Sequence, residues 1–298
     1  MGNKKFAVLG ATGKIGHVLV EELLQKGHQV RAIGRDDAKL EGLKKKGAEI
    51  YAADFNNVGH LAEAFSGCDG IFTMITPDYS VDDNIMHQNK SGEVIVDAII
   101  KSKVTKVLNL SSIGAQHADK TGPIKGLYKQ EQRLNAISNV DVLHLRPSSF
   151  MQNFFWSVPV IQHHGIISSS VKSDLPMWMV STNDIGKKAA SLLADLSFTG
   201  KSVFEFVGPR ELTQAQATEI LGKSIGQHGL KYIQSSYEDE IKALVGAGMK
   251  SGFVQLMVEM RQGMNEGLIA PTQSLSSEHK GSISFETFAQ EFSEVYRA

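Results

Sequence analysis

The feature that most constrains the fold of this chain is residues 5–35, KFAVLGATGKIGHVLVEELLQKGHQVRAIGR. A short apolar run from Phe6 to Leu9 leads directly into Gly10-Ala11-Thr12-Gly13-Lys14-Ile15-Gly16. An amphipathic stretch follows, with Val18, Leu19, Leu23 and Leu24 on one helical face. Gly27 stops it, and a second apolar run, Val30 to Ile33, precedes Arg35. Strand, glycine-rich turn, helix and strand within about 30 residues form a βαβ unit, the context that makes a glycine pattern specific. Glycines allow a tight turn and a close backbone approach to a pyrophosphate, while the N–H groups and positive dipole end of the helix face the anion. The expectation is dinucleotide binding by Gly10, Ala11, Thr12, Gly13, Lys14, Ile15 and Gly16.

The end of the second strand discriminates between nucleotides, because an acidic residue there hydrogen-bonds a ribose 2′-hydroxyl and an arginine accommodates a 2′-phosphate. This strand ends Ala32-Ile33-Gly34-Arg35, with no carboxylate at the ribose position. Lys14 and Lys39 add positive charge nearby. Asp36 and Asp37 follow at once and read equally as helix caps or ribose partners. NADP(H) is favoured over NAD(H).

Composition narrows the class. A chain of 298 residues with 42% hydrophobic and 21% charged residues is ordinary for a globular protein able to bury a core. A net charge of −1 offers no electrostatic case for a nucleic-acid surface. Lys44-Lys45-Lys46 reads as the solvated end of a helix. Cys68 stands alone, which rules out an intramolecular disulfide and a cysteine metal cluster. His163-His164 lacks a Glu-x-x-His geometry, so no metal site is expected. No run approaches the roughly 18 apolar residues of a membrane span. MGNKK carries no signal-peptide segment and lacks the Ser or Thr of a myristoylation site. These readings point to a cytoplasmic protein, with a homodimer left open.

Strand-like runs recur at 48–52, 70–75, 106–111 and 141–146, separated by helical patterns at 37–46, 57–65, 84–102 and 124–139. That alternation predicts an α/β fold, a doubly wound parallel sheet (Rossmann) with helices on both faces and its ligand at the carboxyl ends of the strands. The regularity breaks after Arg146-Pro147. Beyond it come an aromatic segment (Phe150, Phe154, Phe155, Trp156), short runs near 165–171 and 177–180, and helices near 184–196, 213–226, 237–244, 252–264 and 285–296. The division expected is a nucleotide-binding domain over 1–150. A smaller, mostly helical substrate-side region over 151–298 is partly interleaved with the sheet.

Several motifs together carry a family resemblance: GATGKIG at 10–16, Gly34-Arg35, Ala53-Asp54-Phe55, Ile75-Thr76-Pro77, Asn109-Leu110-Ser111-Ser112 and Leu145-Arg146-Pro147-Ser148-Ser149-Phe150-Met151-Gln152-Asn153. Asn183-Asp184-Ile185 and FEFVGP at 204–209 also fit. The chain resembles the NmrA-like members of the atypical short-chain dehydrogenase/reductase superfamily, which include isoflavone-reductase-like enzymes, small quinone reductases and nucleotide-sensing regulators. The resemblance implies that Asp54 and Phe55 line the adenine, although Asp54 also reads as a helix N-cap. It implies that Ile75, Thr76 and Pro77 pass close to the nicotinamide ribose, and that Ser111 and Ser112 bring a hydroxyl near the reacting carbon. A serine pair at a strand end is equally a turn cap. Pro147 to Phe150 resembles the segment that closes over the nicotinamide.

The sequence departs from the wider superfamily at catalysis. Tyr-x-x-x-Lys places a tyrosine and the lysine that lowers its pKa on one helical face, yet no tyrosine here has a lysine four residues on. The helix from 124 offers Lys125, Tyr128, Lys129 and Glu131 instead. Lys125 precedes Glu131 by six, resembling the lysine–glutamate spacing of isoflavone-reductase-like enzymes, while Lys125 and Lys129 also read as a solvated helix face. Lys125, Tyr128 and Ser112 are the catalytic candidates. Phe253, Leu256, Met257 and Met260 follow the spacing of a core-facing helix, or of a soft substrate wall. Two functions are consistent with this pattern. One is an NADPH-dependent reductase passing hydride to a small-molecule electron acceptor, a quinone or a small carbonyl compound. The other is a non-catalytic NADP(H)-binding redox sensor acting through a protein partner.

Overall fold

The computed structural model describes residues 3–75, 78 and 80–298. The first half alternates β1 (Lys5–Leu9), α1 (Lys14–Gln25), β2 (Gln29–Gly34), α2 (Asp37–Lys45), β3 (Glu49–Ala52), α3 (Val58–Phe65), β4 (Gly70–Thr73), α4 (Asn84–Ser102), β5 (Lys106–Leu110), α5 (Ile124–Asn135) and β6 (Asp141–Pro147). Next come β7 (Ser149–Phe150), a 3-10 helix (Met151–Ser157), α6 (Val158–His164), β8 (Ile166–Ser169), β9 (Met177–Val180), α7 (Thr182–Asp195) and β10 (Lys201–Phe206). The chain finishes through β11 (Glu211–Leu212), α8 (Gln214–Ser224), β12 (Lys231–Gln234), α9 (Tyr237–Gly246), α10 (Ser251–Asn265) and α11 (Phe285–Arg297).

Seven parallel strands form the main sheet in the order β10-β6-β5-β4-β1-β2-β3. The order reverses between β1 and β4, which opens a crevice above their carboxyl ends. Because both faces are covered, the inner strands are apolar at consecutive positions. Phe6 and Val8 face a core shared with Leu19 and Leu23 of α1 and Ile185 and Ala189 of α7. Ala7 and Leu9 face the opposite core with Leu61, Phe65, Ile95, Ile99 and Leu134. The chain beyond residue 150 therefore returns to the sheet twice, as α7 against α1 and as the edge strand β10. The remainder builds a third core from Met151, Phe154, Leu221, Phe285, Phe288 and Phe292. Two small sheets, β11-β9-β7 and β12-β8, accompany its helices. Among the described residues no helix is long and apolar enough to cross a membrane.

Three of the departures from expectation have local reasons. The helix expected over 124–139 ends at Asn135, and Asn139 sits in the left-handed region at φ 58°. Asparagine tolerates that conformation, so the chain turns there. The strand expected over 70–75 ends at Thr73, because β1 stops at Leu9 and no neighbour remains on that side. No strand was expected at β10, whose start, Lys201-Ser202, is polar; as an edge strand it pairs with β6 alone.

Candidate functional site

Leu9 ends β1 and Gly10 turns the chain at φ +74°, a conformation that L side chains rarely adopt. Gly13 stands before α1 in extended geometry, and no side chain caps the helix. Its N–H donates to the Gly10 carbonyl at 3.0 Å, and the Ala11 N–H donates to the Ile33 carbonyl at 3.0 Å, tying the turn to β2. A Cβ at Gly16 would lie 2.3 Å from the Gly10 carbonyl oxygen, so the helix rests on the turn only because this residue is glycine. A Cβ at Gly13 would meet nothing but that oxygen, at 3.3 Å. Thr12, Gly13 and Lys14 are exposed and Ile15 is buried. The result is an open helix N-terminus with unclaimed N–H groups, the arrangement that receives a phosphate. The Lys14 ammonium sits 4.1 Å above the ring of Phe155.

At the end of β2, the two readings of the acidic pair separate. Asp36 caps α2, accepting from the Ala38 N–H at 2.9 Å, and Asp37 lies in that helix's first turn. Arg35 is exposed, with its guanidinium carbon 5.9 Å from the centre of the Phe55 ring. Lys39 is exposed one turn into α2. Asp54 accepts from the Asn56 N–H at 2.9 Å. The cap of α3 is Asn57, which accepts from the His60 N–H at 3.1 Å, so Asp54 shapes the loop without capping that helix. Arg35, Asp54 and Phe55 line one cavity with Leu9, Asn56, Met74, His87, Ser91 and Ile95. The last three come from α4 and escaped the sequence reading. Their i, i+4, i+8 spacing marks one helical face and was the available signal.

The other half of the crevice lies over β4, β5 and β6. Ile75 is buried just past β4, whereas Thr76 and Pro77 lie outside the described residues. The Ser111 hydroxyl donates to Glu131 of α5 at 2.5 Å. Glu131 in turn receives Arg146 through Nε at 2.9 Å and a terminal nitrogen at 2.5 Å. All three are buried. One step deeper, Thr73 donates to Asn109, Asn109 meets His144 Nδ1 at 3.2 Å, and His144 Nε2 meets Asn135 at 2.9 Å. These are parallel polar rungs, two residues apart along β5 and β6, joining the sheet to α5. Burial pushes the His144 imidazole down to about 4 and keeps it neutral. Ser112 is half-exposed, and its hydroxyl donates to the Ile113 carbonyl at 2.9 Å. Pro147, buried, accepts from the Ile113 N–H at 3.0 Å, and Phe150 is half-buried in β7.

Lys125 and Glu131 do not meet. The Lys125 ammonium donates to both oxygens of Glu259 on α10, at 2.9 and 2.7 Å, with Asp119 at 3.5 Å. Tyr128 is half-buried and Lys129 exposed. On α10, Phe253 is buried, while Leu256, Met257 and Met260 are half-buried.

The NmrA-like family model matches residues 2–296. Quinone oxidoreductase 2 of Escherichia coli is 25% identical over 266 residues, 88% of each chain. NAD(P)H azoreductase of Xenophilus azovorans is 24% identical over 85% of each chain. The solved NADPH-dependent quinone oxidoreductase of E. coli, complexed with NADPH, matches at TM-score 0.82 and 21% identity, covering 96% of this chain and 99% of that one. NmrA, a negative transcriptional regulator in complex with NADP, matches at TM-score 0.76 and 16% identity, covering 99% and 97%.

Proposed function

This chain belongs to the NmrA-like family, and from that premise and its own site we propose that it is an NADPH-dependent reductase passing hydride to a quinone. The observation that carries the reading is the pairing of an uncapped, glycine-built helix N-terminus with an exposed Arg35 beside Asp54 and Phe55, the adjacent Asp36 being spent as a helix cap. The cradle suits a pyrophosphate, since Thr12, Gly13 and Lys14 are exposed and a Cβ at Gly13 would meet only the Gly10 carbonyl oxygen. The turn would hold the pyrophosphate and Arg35 the 2′-phosphate. Asp54 and Phe55 would hold the adenine, and the ends of β4 to β6 the nicotinamide. Bound NADPH supplies the hydride.

The chain's own residues orient the acceptor and exclude water. Ser111 is held by Glu131, Lys125 by Glu259, and neither is arranged as the acid partner of a tyrosine. A quinone needs no such partner, because water protonates its reduced form. Positioning and water exclusion then account for most of the acceleration. Residues 151–298 furnish the acceptor side.

The test is a turnover screen of NADPH and NADH against quinones and small carbonyl compounds. Quinone-dependent NADPH oxidation is the expected result, with Tyr128→Phe lowering it only modestly. Ser112→Trp should nearly stop it without matching loss of NADPH binding. Tight NADPH binding with background oxidation across the whole panel refutes the reductase reading in favour of a redox sensor.

A further inference from the structure

The inference rests on the reductase reading and concerns what holds the acceptor side in place. Helix α10 is fixed at its C-terminal half to α9 and to the segment that follows β8. Arg261 pairs with the buried Glu240, which also accepts from the Ser170 hydroxyl at 2.5 Å and N–H at 3.0 Å. Asn265 donates to the Ser170 carbonyl at 2.9 Å and accepts from the Lys172 N–H at 2.8 Å. Its other side crosses the loops that leave β4 and β5. There, glycines let two backbones touch. A Cβ at Gly252 would lie 2.2 Å from the Asp82 carbonyl oxygen, one at Gly122 2.0 Å from that of Leu256, and one at Gly263 2.5 Å from that of Lys120.

Asp82, Lys120 and Gly122 stand on the chain that leaves β4 and β5, across the order reversal from β2 and β3, and on the reductase reading the hydride is delivered on that side. Across this seam, among the described residues, runs the bidentate ion pair Lys125–Glu259, with side chains 20% and 27% exposed. Asp119 also reaches Lys125, but it is 77% exposed and adds little. On a face of α10 turned away from Glu259, Met257, Met260 and Met264 follow i, i+3, i+7 and are half-buried rather than sunk in a core. Unbranched thioethers conform to flat, polarisable ligands.

We propose that Lys125 and Glu259 are a positioning pair that holds α10 across the acceptor end of the site, so that its methionine face selects flat aromatic acceptors by size. Lys125, which the sequence offered as a catalytic candidate, acts on this account through α10 and does not transfer a proton.

The experiment compares wild type, Lys125→Met, Glu259→Gln and the charge swap Lys125→Glu/Glu259→Lys. Steady-state kinetics with one-ring and three-ring quinones run beside amide hydrogen exchange across 251–265. A half-buried ion pair is worth about fivefold in an equilibrium constant. Each single variant should raise KM for the one-ring quinone about fivefold and move kcat less than about twofold. Each should also weaken the size preference and speed exchange in α10, and the swap should restore all of these. A collapse of kcat at constant KM that the swap does not rescue would make Lys125 an acid catalyst and overturn the proposal. Unchanged exchange and unchanged KM in both single variants also overturn it. If wild type reduces no quinone, the reductase reading fails. Exchange then judges the pair alone: faster exchange in both single variants, reversed by the swap, supports it as the hold on α10.

Discussion

Arg35→Ala separates the two nucleotides more sharply than any other change to the site. In the structure Arg35 is exposed at the end of β2, its nearest described aromatic is Phe55 at 5.9 Å, and the acidic residue beside it is committed to the α2 N-terminus. A 2′-phosphate there would receive charge-assisted hydrogen bonds worth about 1.5–3 kcal/mol, or about 10- to 150-fold in Kd. NADH lacks that phosphate. Its affinity should change little, because the Arg35–Phe55 contact is made without nucleotide and is lost from the free and bound protein alike. Titration calorimetry of wild type, Arg35→Ala and Arg35→Lys with both nucleotides measures the difference. The lysine variant should fall between the others for NADPH, retaining a point charge and losing the bidentate fork. Equal losses for NADPH and NADH would refute the assignment, since the reasoning places the contact on the one group that distinguishes them. The NADPH affinity should also fall with added salt more steeply in wild type than in Arg35→Ala.

Glu131→Ala leaves Arg146 buried without its carboxylate and should cost about 3–5 kcal/mol in urea unfolding, whereas the apolar pair Glu131→Leu/Arg146→Met should cost far less. His144 is neutral in the folded protein at about 4 against 6.5 when unfolded, so below pH 6.5 the unfolded state binds the extra proton. Stability should therefore decline as pH falls from 6.5 to 4, by about 3 kcal/mol in all, and His144→Gln should flatten that part of the profile. Gly16→Ala drives a Cβ into the Gly10 carbonyl and should destabilise the protein by about 2 kcal/mol or more in thermal unfolding. Gly13→Val should remain folded by circular dichroism while losing affinity for NADPH and NADH alike; retained affinity would sink the anion-site reading.

The sheet was legible because burial on both faces forces long apolar runs, and because each crossover is a separate amphipathic pattern. β10 was not, since an edge strand that starts Lys201-Ser202 satisfies only one neighbour and carries a weak pattern. Gly10, Gly13 and Gly16 could be read together because a turn, a close approach and a helix start each demand glycine in a fixed order. Asp36 was ambiguous in the sequence, where a capping residue and a ribose ligand look alike; only the Ala38 N–H decides it. His87, Ser91 and Ile95 were missed because a helix that faces a cavity and a helix that faces a core share one periodicity. The pairings Lys125–Glu259 and Arg146–Glu131 bridge 134 and 15 residues, and no spacing rule reaches either.

The absent Tyr-x-x-x-Lys pair has a structural counterpart in how α5 uses its inward face. Its buried residues are Ile124, Gly126, Gln130, Glu131 and Leu134, and the one carboxylate among them is neutralised by Arg146 and bound by Ser111. The same helix sends Asn135 to the neutral His144, and its lysine at 125 turns outward to α10. Glu131, Asn135 and Lys125 thus tie α5 to β5, β6 and α10, with Tyr128 half-buried beside them. A helix committed in this way can hold a cofactor and an acceptor in register, while its Lys125 and Glu131 are held by Glu259 and Arg146. On the proposed reading, that favours an acceptor whose reduced form takes its proton from water, a quinone over a simple ketone. A primary isotope effect from deuterated NADPH together with a solvent isotope effect near one would agree with that division of labour. A large solvent effect lost in Tyr128→Phe would instead show that α5 supplies the proton.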